Sequence, residues 1–260
     1  MVKVELDLQG KVAIVTGASR GLGVELASTM ADHGADVALL SLDTATELEL
    51  MDALAKELVA RTGRVVKYYG VDVSKEDSVK AAVAAVMNDF GQINILVNCA
   101  GCITYGPVHE IPLSDWEKTL AVDLNGTFLM MKEVANAWMI EHGGKIVNIS
   151  SVSALRSGGT CAAYCAAKKG VVALTEAAAV DWARYNIFVN SIAPGSMANG
   201  EMSKTCSPEQ DRTISAGTPM GRRGQEGDLS GPLLMLVSDA NTYMTGTTIP
   251  VDGGIIIESF

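Results

Sequence analysis

Seven short apolar runs, rich in β-branched residues, recur along the chain with a longer segment of helical spacing between each pair. The runs are Val12–Thr16, Val37–Leu40, Val65–Val71, Ile93–Val97, Lys145–Ile149, Phe188–Ile192 and Thr248–Val251. Near-continuous apolarity marks strands buried on both faces, as a parallel sheet requires. Strands that alternate regularly with helices imply right-handed βαβ crossovers. The expected fold class is therefore α/β, a doubly wound three-layer arrangement around a parallel sheet of about seven strands. Two S-x-x-[DE] patterns, Ser74–Asp77 and Ser114–Glu117, predict capping boxes at helix starts. No linker or repeat interrupts the pattern, and 260 residues suit a single domain over 1–260.

In such a sheet, ligands bind beyond the carboxyl ends of the strands, near the switch in strand order. Functional residues should therefore follow strands. Directly after the first strand stands Thr16-Gly17-Ala-Ser19-Arg20-Gly21-Leu22-Gly23, opening a helix that runs to about His33. Glycines there permit positive φ and close approach of backbone to a pyrophosphate, and the helix start offers its N–H groups to the phosphates. Asp72-Val73 follows the third strand, Asn98-Cys99-Ala100-Gly101 the fourth, and Pro194-Gly195 the sixth, with Met197 just beyond. Together these describe one groove along the carboxyl edge.

Tyr164 and Lys168 lie one helical turn apart on one face, and Ser151 ends the fifth strand thirteen residues before Tyr164. Carbonyl reduction delivers a hydride to carbon and a proton to oxygen. A phenol, with a reference pKa of about 10, exchanges protons poorly at neutral pH. A neighbouring ammonium favours the phenolate and is expected to draw the Tyr164 pKa down. The Ser151 hydroxyl can hold the substrate oxygen within reach.

On these motifs the sequence resembles the short-chain dehydrogenase/reductase family, from Leu8-Gln-Gly-Lys-Val-Ala-Ile-Val-Thr-Gly17 to Val251-Asp-Gly-Gly254. The resemblance is nearest in feel to the sugar/polyol dehydrogenases and carbonyl reductases of the family. It implies a Rossmann-type fold, a nicotinamide cofactor, catalysis by Ser151, Tyr164 and Lys168, and a homotetramer. Asp123, 28 residues before Ser151, occupies a place where the family usually carries Asn. That Asn supports a water linking the lysine to solvent, partly through its backbone carbonyl. Asp123 thus counts among the candidate catalytic residues, acting through its backbone, and Asp123→Asn is expected to be nearly silent. Asn199 stands where the family often has Thr.

NAD-dependent proteins normally carry an acidic residue at the end of the second strand. Here that position is Ser41, and Arg20 could pair with a 2′-phosphate. NADP(H) is therefore favoured over NAD(H). The candidate cofactor set is Gly17, Ser19, Arg20, Gly21, Leu22, Gly23, Ser41, Asp72, Val73, Asn98, Ala100, Gly101, Tyr164, Lys168, Pro194, Gly195 and Met197. Candidate substrate contacts are Cys102, Ser153, Leu155 and Arg156, with a substrate loop at about 197–220. The substrate is expected to be a small carbonyl or alcohol, such as a sugar or polyol. Acyl thioesters and bulky hydroxy compounds such as steroids are a second enzyme reading, and a non-catalytic nucleotide sensor or scaffold is a reading of another class.

The formal charge of −10 argues against nucleic acid or an anionic membrane surface as partner. No apolar run is long enough to span a bilayer, and the alternating N-terminus lacks a signal-peptide core, so a cytoplasmic location is expected. Five cysteines without framework spacing read as reduced thiols; Cys99-Ala-Gly-Cys102 has no second pair to complete a metal site, and none is expected.

Overall fold

The structure is a computed structural model that describes residues 6–200 and 206–258. Most of the N-terminal stretch considered for a signal peptide, and residues 201–205 of the expected substrate loop, lie outside the described residues.

Strand β1 (Val12–Thr16) is buried at every residue, as its apolar run demands. Helix α1 (Gly21–Asp32) leads to β2 (Asp36–Ser41), α2 (Ala45–Thr62) to β3 (Val66–Gly70), and α3 (Glu76–Phe90) to β4 (Ile95–Asn98). Helix α4 (Leu113–Leu120) continues through a π-helical turn at Ala121–Asn125 into α5 (Gly126–Val134). A second π-helical turn at Ala135–Met139 and the short α6 (Ile140–His142) precede β5 (Gly144–Ile149). Then follow α7 (Val152–Leu155), α8 (Ala162–Trp182), β6 (Ile187–Pro194), α9 (Pro208–Ala216), α10 (Ser230–Val237) and β7 (Thr248–Val251). The strands form one parallel sheet in the order β3-β2-β1-β4-β5-β6-β7. The order reverses between β1 and β4, which is where a doubly wound sheet opens its crevice.

Successive strand residues alternate between two cores, as the period of two requires. Val15 and Leu39 pack with Leu26, Met30, Leu58 and Leu233 on one face. Ile14 and Leu40 pack with Val83, Leu96, Met130 and Ile146 on the other. Pro250 falls on the edge strand β7, where a missing N–H does least harm to the ladder.

Neither predicted capping box forms. Helix α3 begins at Glu76, beyond Ser74, whose N–H and hydroxyl both donate to Asp72 Oδ1 at 3.0 and 2.6 Å. The carboxylate is the stronger acceptor and takes the serine away from the helix. Pro112 caps α4, which starts at Leu113, leaving Ser114 inside the first turn. The complete capping box is Ser207 with Gln210, at the start of α9. Removing such a cap costs about 1 kcal/mol, so Ser207→Ala should speed amide exchange across Pro208–Ala216 about fivefold. Unchanged exchange there would show that the cap does not hold the helix.

Candidate active site

The groove begins at the turn after β1. Gly17 and Gly21 adopt φ of +66° and +54°, in the left-handed region that favours glycine. A Cβ on Gly17 would stand 2.9 Å from Ala100 Cα, and one on Gly23 only 2.0 Å from the Gly17 carbonyl oxygen. Thr16 Oγ1 accepts the N–H groups of Cys99 and Ala100 at 3.0 and 3.1 Å, tying the β4 loop to the β1 turn across the switch point. Helix α1 opens at Arg20 without a side-chain cap or a first-turn acid. Its first N–H groups and the positive end of its dipole are thus left for an anion. Backbone this close, with no side chain between, fits a dinucleotide pyrophosphate held by Gly17, Ser19, Gly21, Leu22 and Gly23.

The other expected cofactor positions divide by what their side chains already do. Asn98 is buried and its amide donates to Asn148 Oδ1 at 2.9 Å, so that side chain braces β4 against β5. Val73 lies in the core beside Gly126, and Met197 is buried against Gly224. These three side chains are structural. Gly101 and Gly195 are placed by crowding: a Cβ on the first would meet Asp123 Oδ2 at 3.0 Å, and one on the second Asp252 Cα at 2.8 Å. Pro194 ends β6 directly before Gly195, and Asp72 holds Ser74 at the end of β3. Ser41 Oγ lies 2.9 Å from Ser19 Oγ. The Arg20 guanidinium is engaged by the Glu47 carboxylate, a partner the sequence reading did not anticipate.

Strand β5 and helix α8 bring the catalytic candidates together. Ser151, at the strand end, caps α7 by accepting the Ser153 N–H at 3.1 Å, which fixes its hydroxyl over the sheet edge. The same hydroxyl lies on the side of Tyr164, where it helps to draw the phenol pKa down. One turn along α8, Lys168 Nζ donates to the Ile149 carbonyl at 3.0 Å and lies 5.5 Å from the Tyr164 ring centre. Asp123, fully buried in the π-helical turn, places Oδ2 3.1 Å from the same Nζ and accepts the Cys102 N–H on Oδ1 at 2.8 Å. Its backbone carbonyl receives the Thr127 hydroxyl at 2.8 Å. The carboxylate of Asp123 therefore faces the lysine, a contact that the expected backbone role did not include.

Electrostatics follow from that pair. Burial opposes the Lys168 charge, but the Asp123 carboxylate more than offsets it and holds the ammonium protonated above its ordinary range. Burial pushes the Tyr164 phenol up; Lys168 and Ser151 pull it down, and Asp123 pushes it up again. The net direction is upward, against the expected lowering, because burial outweighs the lysine. Burial also pushes the Cys99 thiol up to about 12 and raises Cys102, the opposite of what a redox thiolate needs.

The expected substrate residues lie on two segments, Cys102 in the loop after β4 and Ser153, Leu155 and Arg156 on α7 and its end. Gly106 N–H donates to the Thr160 carbonyl at 2.8 Å, joining the loop after β4 to the loop after α7. Ile103 packs on Cys161, Tyr164 and Cys165. Ser153 and the half-exposed Leu155 sit on α7, while Arg156 Nη1 donates to the Glu258 carbonyl at 3.2 Å. Reading along the chain missed Glu25, a buried acid on α1. It accepts Asn199 Nδ2 at 2.6 Å and the N–H groups of Gly227 and Leu229, anchoring the chain after β6 to the nucleotide helix. Only its place among the mostly apolar buried residues of α1 could have signalled it.

Comparison with known proteins agrees with this geometry. The short-chain alcohol dehydrogenase family model described as "Enoyl-(Acyl carrier protein) reductase" matches residues 17–256. Trans-4-hydroxycyclohexanecarboxylate dehydrogenase of Sinomonas cyclohexanicum is 37% identical over 98% of this chain and 96% of its own. The structure of a gluconate 5-dehydrogenase from Burkholderia cenocepacia J2315, in complex with NADP and tartrate, superposes with a TM-score of 0.91 at 31% identity, covering 98% and 99% of the two chains. NAD+-bound xylitol dehydrogenase superposes with a TM-score of 0.88 at 31% identity, over 95% and 99%. With the glycine turn, the Ser151–Tyr164–Lys168 constellation and these relatives in agreement, the chain belongs to the short-chain dehydrogenase/reductase family and is a nicotinamide-dependent oxidoreductase.

Proposed function

We propose that the protein interconverts a secondary alcohol of a sugar, sugar acid or polyol with the corresponding ketone. The observation that carries this is the gathering of Ser151, Tyr164 and Lys168 beside the end of β5, with Lys168 Nζ 5.5 Å from the Tyr164 ring centre and 3.0 Å from the Ile149 carbonyl. A nicotinamide dinucleotide held by the glycine turn would supply the hydride chemistry, at the carbinol carbon in oxidation and at the carbonyl carbon in reduction. Ser151 donates a hydrogen bond to the substrate oxygen and orients it. Tyr164 accepts the hydroxyl proton on its phenolate oxygen during oxidation and gives it back during reduction. Lys168, kept charged by Asp123, stabilises the phenolate.

Relatives that act on polyol, sugar-acid and hydroxycycloalkane substrates support the substrate class. The chain reads as one catalytic unit with its substrate loop at about 197–220. Family resemblance and reduced thiols support a cytoplasmic homotetramer, as do the exposed apolar side chains Leu113, Phe128 and Val180 on the outer helices. Among the described residues no helix is long and apolar enough to cross a membrane. NADP(H), the form favoured from the sequence, keeps the uncharged Ser41 in its support. Its phosphate-pairing argument is lost, because Arg20 is shared with Glu47.

A panel of polyols, sugar acids, cyclic hydroxy acids, steroids and acyl thioesters, followed at the nicotinamide absorbance, tests the proposal. Polyols or sugar acids should give the highest kcat/KM, at least about tenfold above the steroid and thioester classes, a gap of about 1.4 kcal/mol in transition-state binding. A preference for either of those classes would overturn the substrate assignment. Tight cofactor binding with no turnover on any alcohol or ketone would favour the sensor reading.

A further inference from the structure

We propose that Glu47, in the first turn of α2, makes this enzyme prefer NAD(H). Its carboxylate stands over the end of β2, where two ribose hydroxyls can dock and a 2′-phosphate meets a like charge. The inference rests on the nicotinamide-dependent reading of the site and not on the substrate.

In a doubly wound sheet the residue ending β2 meets the adenosine ribose. Here Ser41 ends the strand, with the Ser19 hydroxyl of the glycine turn 2.9 Å away. Glu47 pairs with Arg20, whose Nε lies 3.4 Å from Oε2 and whose Nη2 contacts Oε1, and both serine hydroxyls are near enough to lower its pKa. The Glu47 side chain is only 16% exposed and that of Arg20 36%, so the ion pair is partly shielded from water. Burial pushes the Glu47 carboxyl up, but hydrogen bonds from Ser19, Arg20 and Ser41, with the Arg20 charge, hold it below the usual carboxylate range. It is an anion at neutral pH.

The local sequence suggests a plainer role for Glu47, and the structure denies it. Thr44-Ala-Thr-Glu47 is a capping-box pattern, in which the glutamate should reach back to the Thr44 N–H. Thr44 does its half, accepting the Glu47 N–H at 3.3 Å. The Thr44 N–H, however, donates to the Leu42 carbonyl at 2.9 Å, and the glutamate carboxylate crosses to Arg20 of the glycine turn. The cap thus brings Glu47 back over the strand end while its carboxylate serves the nucleotide groove. Asp43, the other acid in this turn, lies against Gly70 at the end of β3.

Ribose hydroxyls can donate to such a carboxylate in charge-assisted hydrogen bonds. A 2′-phosphate brings nearly two negative charges beside it, and the Arg20 guanidinium it would need is already shared. Arg20 therefore positions Glu47 rather than recruiting phosphate.

Dissociation constants for NADH and NADPH, measured on the full chain by fluorescence titration, decide the matter. The wild type should bind NADH at least about tenfold more tightly than NADPH. Glu47→Gln keeps the side-chain size and the Thr44 cap. It should weaken NADH about fivefold and strengthen NADPH about tenfold, by freeing Arg20 for the phosphate. Adding Arg20→Ala to Glu47→Gln should remove the NADPH gain, and Asp43→Asn should leave the ratio unchanged. A gain in NADPH affinity cannot arise from misfolding. Wild-type affinities within twofold of one another, tighter NADPH binding, or a ratio unmoved by Glu47→Gln would overturn the assignment. Failure of every alcohol in the substrate panel would instead overturn the substrate class, with these binding ratios unaffected.

Discussion

Tyr164→Phe should lower kcat by about three orders of magnitude while leaving the cofactor Kd within about twofold, since positioned proton transfer contributes roughly 10²–10⁴ in rate. The substitution deletes one hydroxyl and keeps the ring that packs on Ile103, Cys161 and Cys165. The fold and the dinucleotide groove have no reason to change. Without the phenol, Lys168 Nζ stays engaged by the Ile149 carbonyl at 3.0 Å and the Asp123 carboxylate at 3.1 Å. Steady-state rates on any alcohol the enzyme accepts, with cofactor binding measured in parallel, provide the check. More than a few per cent of wild-type kcat in the Phe variant would remove Tyr164 from the proton transfer.

Asp123 should give the second large effect, in two different readouts. Asp123→Asn retains an acceptor for the Cys102 N–H but removes the anion beside Lys168. Because that anion pushes the Tyr164 phenol up, its loss lowers the phenol pKa as long as Lys168 keeps its proton. Oxidation needs the phenolate, so its rate rises with pH through the Tyr164 titration. The rising limb should then move to lower pH. Asp123→Ala removes both partners. It leaves a buried ammonium with only the Ile149 carbonyl in support and should cost about 3 kcal/mol of stability in denaturant unfolding. An unchanged pH profile in the Asn variant would return Asp123 to the backbone role that family resemblance suggested. Asp123 acts through Lys168 and is thus a positioning residue, and the pH profile separates that role from mere packing.

The order of strands and helices was legible because it is local. A β-branched run such as Val12–Thr16 shows its burial in five consecutive residues, and glycines at 17, 21 and 23 announce a backbone shape that other residues resist. Ser151, Tyr164 and Lys168 could be read for the same reason: one ends a strand, and two share a helix face at a spacing of four. What each polar side chain does with its hydrogen bonds is not local. Asp123 meets a lysine 45 positions away, Arg20 meets a glutamate 27 positions away, and Asn98 is taken up by Asn148, 50 positions away. Ser74 and Ser114 carry a cap motif, but a carboxylate two residues off and a proline just ahead decide otherwise. Burial makes these choices. A buried polar group must find a partner among whatever the packed elements bring near it, and that set exists only once the sheet has assembled. Sequence alone thus determined the sheet and the glycine turn and singled out Ser151, Tyr164 and Lys168 as candidates, while tertiary packing decided that the Asp123 carboxylate faces Lys168 and that Glu47 pairs with Arg20.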